Sequence, residues 1–114
     1  TEFMLAALIT AGKPRGLSYN RMAELLAYNA AERFGLKGKG DIAPGLDADL
    51  VLVDPDKSFV ASGKLSESQQ GYSVFEGMEM SATVTDTYLR GHRIWGDGQV
   101  IGAPRGQYLM RPYG

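Results

Sequence analysis

The chain has 114 residues and a formal net charge of −1, from 12 basic and 13 acidic side chains. The halves are balanced as well, with 7 basic and 8 acidic residues over 1–57 and 5 of each over 58–114, which excludes a polycationic nucleic-acid binder or an acidic tail. Cysteine is absent and His92 is the one histidine, so this chain alone offers no disulfide framework, no thiolate chemistry and no multi-histidine metal cage.

Residues 2–11 read as a helix, because Leu5, Leu8 and Ile9 recur at i, i+3 and i+4, with Gly12 and Pro14 expected to stop it. Its apolar run, Phe3 to Ile9, is far short of the roughly 20 residues of a membrane span and lacks the basic leader of a signal peptide. The chain opens on Thr1 rather than Met, giving the expectation that it begins inside a longer protein. After the loop Lys13-Pro14-Arg15-Gly16, Ser18 is a natural N-cap for a second helix with the apolar stripe Met22, Leu25 and Leu26. Asn29 interrupts that stripe, and with Glu32 three residues on it resembles a capping box opening a short third helix that Gly35 would close.

The pattern then changes. Lys37-Gly38-Lys39-Gly40-Asp41 reads as a flexible polar connector and Pro44-Gly45 as a turn. Leu50–Val53 reads as a buried strand ended by Asp54-Pro55, with a second strand over Ser58–Ala61 and a polar loop over 62–73. Ala82–Leu89 is rich in strand formers. Arg90-Gly91 suggests a turn into His92–Trp95, and Asp97-Gly98 a two-residue hairpin into Gln99–Ile101. A last strand is expected over Gly106–Arg111. Helices first and strands after predict an α+β chain or parts of two domains. Neither part looks complete, since three short helices do not enclose a core and a sheet with an apolar face needs a cover.

No catalytic constellation emerges from the residues. His92 beside a turn reads as a surface histidine, with no partner cluster near it in sequence. Asp47 and Asp49 could share a proton or a metal ion, yet at the entry to an apolar strand they read as turn and strand-edge caps. Asp54-Pro55-Asp56 is a turn. Gly35, Gly38 and Gly40 are followed by Asp41 and Pro44 rather than by the helix a phosphate loop requires. Arg90, Arg93, Arg105 and Arg111 with Tyr88, Trp95 and Tyr108 could form an RNA-binding sheet, a reading that the neutral charge weakens. Ser18, Ser62 and Ser73 have neither a neighbouring histidine nor a nucleophile-elbow context.

Several segments carry a resemblance. Leu25-Leu26-Ala27-Tyr28-Asn29-Ala30-Ala31-Glu32-Arg33-Phe34-Gly35-Leu36 resembles the last barrel helices of the cyclic amidohydrolases: allantoinases, hydantoinases or dihydropyrimidinases, and dihydroorotases. Lys39-Gly40-Asp41-Ile42-Ala43-Pro44-Gly45-Leu46-Asp47-Ala48-Asp49-Leu50-Val51 is similar to that family's Lys-Gly-x-Ile-x-x-Gly-x-Asp-Ala-Asp signature. Tyr72-Ser73-Val74-Phe75-Glu76-Gly77 is similar to its Tyr-Ser-Pro-Phe-Glu-Gly motif. Leu89-Arg90-Gly91-His92, Trp95-Gly96-Asp97-Gly98 and Arg105-Gly106-Gln107-Tyr108-Leu109 resemble the hairpin and ending that follow. The likeness runs in the right order over residues 17–112. Val74 and Ala30 stand where relatives commonly have proline. Asn29-Ala30-Ala31 leans toward allantoinases, while Glu76-Gly77-Met78-Glu79 and Gly106-Gln107-Tyr108 occur in hydantoinase-like members. Both are preferred to dihydroorotase.

The resemblance implies an α+β fragment, with residues 1–36 the closing helices of a TIM barrel and residues 37–114 the C-terminal part of a small β-sandwich. The parent would be a metal-dependent hydrolase opening cyclic amides. Its binuclear zinc site would be held by a His-x-His pair, a carboxylated lysine, two more histidines and an aspartate, with a bridging hydroxide attacking the ring amide carbon. None of those ligands falls on a residue of this chain, so no catalytic, substrate-binding or metal residue is assigned and the fragment is expected to bind no cofactor and to be inactive alone. Its expected partners are the rest of the barrel chain, the parent's cyclic amide substrate and further copies in a homo-oligomer, with no nucleic acid and no membrane, in the cytoplasm. The alternative is a stand-alone, non-catalytic β-rich binding or oligomerisation module.

Overall fold

The computed structural model describes residues 1–112, and its chain divides into two compact units that alternate along the sequence. The first unit comprises Thr1–Ser18 and Val53–Val84, the second Tyr19–Leu52 and Thr85–Gly114, of which residues 113 and 114 lie outside the described part. The secondary structure is α+β, as expected. Among the described residues no helix is long and apolar enough to cross a membrane.

In the first unit, helix α1 (Met4–Gly12) packs beside two short antiparallel strands, β2 (Phe59–Val60) and β3 (Glu79–Met80), which pair Phe59 with Met80 and Val60 with Glu79. The α-helix ends at Gly12, as expected. The chain then tightens into a 3₁₀ turn over Lys13–Arg15, which tolerates Pro14 near its start, and Gly16 at φ +84° closes that turn. Ala6, Ala7, Ala61 and Met80 form the buried centre, and Phe3, Phe59, Phe75 and Met78 pack around it. Thr10 ties helix to strand: its hydroxyl donates to Ala6 O at 2.7 Å and accepts the Ser81 N–H at 2.9 Å.

In the second unit, α2 (Tyr19–Ala23) runs into a π turn (Glu24–Tyr28) and on into α3 (Asn29–Phe34). The expected break at Asn29 does not occur. Tyr28 and Asn29 both hold right-handed helical angles, the Asn29 N–H donates to Glu24 O five residues back, and no side chain caps α3. The π turn lets the chain absorb the break in the apolar pattern without a new N-terminus. Gly35, at φ +64°, ends the helix as expected.

The larger sheet has the order β1-β4-β5-β6, with β1 at Leu50–Asp54, β4 at Thr83–Leu89, β5 at His92–Gly96 and β6 at Gln99–Val100. The β4–β5 and β5–β6 pairs are antiparallel. Both connections are two-residue turns with positive φ at each central position, Arg90 (+47°) with Gly91 (+80°) and Asp97 (+52°) with Gly98 (+74°), the hand that matches the strand twist. Two expectations fail here. Strand β1 forms but is not buried, since Val51 and Leu52 are about half exposed. The residues expected as a last strand, Gly106–Arg111, run without regular structure.

Candidate functional site

The densest polar cluster of the second unit is built from the segment that reads as a flexible connector. It is not loose. Lys39 places its ammonium 2.8 Å from Asp47 Oδ2 and 2.5 Å from Asp49 Oδ2. The other Asp49 oxygen accepts the Arg90 N–H at 2.8 Å, at the β4–β5 turn, and the Gly91 N–H donates to Ala48 O at 3.0 Å. The Asp47 N–H returns to Gly38 O at 2.9 Å. Gly40, at φ +90°, lets the loop lie against α3, where a Cβ would stand 2.5 Å from the Ala31 Cβ and 3.1 Å from Ala27 O. One lysine and two carboxylates thus join the loop after α3 to the entry of β1 and the β4–β5 turn.

The electrostatics agree with that geometry. The hydrogen bonds to Asp47 and then Asp49 hold the Lys39 pKa above its ordinary value. Burial alone would push Asp49 upward, but the bonds from Lys39 and the Arg90 N–H outweigh it and leave its pKa lowered. The ammonium occupies the space between the two carboxylates, where a shared proton or a cation would sit. The expected role of Asp49 as a strand-edge cap is what the structure shows, and Lys39, the partner that holds both carboxylates, is the residue the sequence reading missed. Its signal was the i, i+8, i+10 spacing of one lysine with two aspartates around a Pro-Gly turn.

A second cluster, in the first unit, is built on Tyr72–Gly77. Ser73 Oγ accepts the Phe75 N–H at 3.1 Å, and the Glu76 N–H closes the turn on Ser73 O at 3.1 Å. Phe75 packs against the core, and Glu76 Oε2 accepts the N–H of buried Gly63 at 2.6 Å. The Gly77 N–H reaches Ala61 O at 2.9 Å. Gly63 has no room for a side chain, since a Cβ would stand 2.8 Å from Ser73 N and closer still to the Tyr72 backbone.

The remaining candidates do not assemble into a reactive site. His92 is exposed at the start of β5, paired with Leu89 in the register. Ser73 is used as a turn cap. Three of the four arginines of the possible RNA-binding sheet have guanidiniums engaged within the chain: Arg93 with Asp86 at 2.6 Å, Arg90 with the backbone Arg105 O, and Arg111 over the Phe34 ring at 5.2 Å. Asp86 is accordingly lowered in pKa, by its bonds with Thr85 and Arg93. No helix begins between Gly40 and β1, so the glycine run offers no phosphate cradle. An open groove of about 590 Å³ lies between Gly35–Lys37 and Tyr108–Pro112, and its only charged groups are Lys37 and Arg111. Among the described residues no three of His, Asp and Glu come together to hold a metal ion.

Comparison with known proteins gives a family match. Residues 1–94 match the profile described as Amidohydrolase family. The chain is 41% identical over 98 residues to an allantoinase of Salmonella newport, and equally to one of Salmonella heidelberg, covering 85% of this chain and 22% of each relative. Among solved structures it is similar to an L-hydantoinase (dihydropyrimidinase) from Arthrobacter aurescens, with TM-score 0.81 and 31% identity over 86% of this chain and 22% of that one. It is likewise similar to a D-hydantoinase (dihydropyrimidinase) from Thermus sp., with TM-score 0.83 and 36% identity over 90% and 23%. The chain therefore spans between a fifth and a quarter of the length of these relatives.

Proposed function

The chain belongs to the amidohydrolase family, and from that membership we propose that it is a C-terminal, non-catalytic part of an enzyme that hydrolyses a cyclic amide of the allantoin, hydantoin or dihydropyrimidine type. The observation that carries this reading is the 41% identity over 98 residues to allantoinases that are several times longer. In it, residues 1–36 are closing helices of a TIM barrel and residues 37–114 belong to a β-sandwich beside it. The Lys39 and Glu76 clusters then serve as scaffolding that fixes turns and strand entries, remote from substrate.

Divalent metal, with zinc the expected ion, belongs to the same reading but not to these residues. The acidic pair Asp47 and Asp49 is bridged by Lys39, and among the described residues no three of His, Asp and Glu, His92 included, come together to hold a metal ion. The donor set of the described residues does not fit a metal centre. Allantoinase or hydantoinase activity is preferred to dihydroorotase activity, in a cytoplasmic enzyme that self-associates.

Reading the coding sequence upstream of Thr1 tests the proposal. An open frame that supplies a His-x-His strand, a barrel lysine, two further histidines and an aspartate supports it. A start codon immediately before Thr1 overturns it.

A further inference from the structure

We draw no further inference here: the strongest candidate, the exposed apolar surface of the second unit at Leu25, Tyr28 and Phe34 on the α2–α3 helical stretch and Val51 and Leu52 on strand β1, carries none because nothing in the structure shows what covers it.

Discussion

At the scale of single residues, the two glycines of the Lys39 loop separate two causes of strain. Gly40 and Gly45 have nearly the same backbone angle, φ +90° and +91°, but Gly40 is pressed against Ala31 whereas nothing lies within 4 Å of a Cβ at Gly45. Gly45→Ala is expected to cost only the left-handed strain, about 1–2 kcal/mol. Gly40→Ala adds overpacking of about 1–3 kcal/mol, and urea denaturation of the two variants should rank them in that order. Lys39→Met, which keeps the stem and removes the charge, should cost about 1 kcal/mol, the upper end for a partly exposed ion pair. The pH dependence has a definite sign. A lowered Asp49 stabilises above its unfolded value, and that contribution is lost as the pH falls through the carboxylate range below 3.8. A raised Lys39 stabilises below its unfolded value of 10.5 and is lost as the pH climbs past it. Between those limits the wild-type advantage over Lys39→Met should be flat in a series of melts, and it should shrink at both ends.

At the scale of elements, Glu76 and Met80 decide whether the first unit holds together. Glu76→Ala leaves the buried Gly63 N–H without its acceptor, a loss of about 1–3 kcal/mol. Met80 is fully buried among Ala6, Ala7 and Ala61, so Met80→Ala should cost about 2–5 kcal/mol. Calorimetric melts of the two variants test both figures. The hairpins were legible in the sequence because Arg90-Gly91 and Asp97-Gly98 need positive φ at both central positions, a requirement a dipeptide displays by itself. Gly35 was legible for the same reason. The π turn was not, because the apolar pattern breaks at Asn29 whether a helix ends there or merely changes its pitch. Nor was the Lys39 cluster, whose polar composition looks like solvated loop until the carboxylates eight and ten residues away are brought to one ammonium. The tail over Gly106–Arg111 has strand-like composition, but no strand of the described residues pairs with it.

At the scale of the whole molecule, the buried apolar set is small for 112 described residues. Met80 is the one large side chain buried to less than 2%, while Leu25, Tyr28, Phe34, Val51 and Leu52 lie 43–51% exposed. A strand such as Leu50-Val51-Leu52-Val53, apolar on both faces, suits a sheet covered on both sides, which is why its burial was expected and why its exposure marks an uncovered element. Isolated in solution, the 114-residue chain is expected to self-associate through such surfaces, so its sedimentation coefficient should rise with concentration. A concentration-independent monomer with one sharp, cooperative melt would contradict that. The family was legible because five motifs stand in order along the chain, and the structure gives two of them a physical role as turn clamps; no catalytic centre was legible, since one histidine cannot form the His-x-His pair that the resemblance implies. The most direct measurement is therefore a ring-opening assay on allantoin, a hydantoin and dihydrouracil, run with the 114-residue chain and with the in-frame protein that includes the sequence upstream of Thr1. The account predicts hydrolysis of at least one ring by the longer protein and none by the 114-residue chain. Turnover by the 114-residue chain alone, or a longer protein inactive on every ring with zinc supplied, would contradict it.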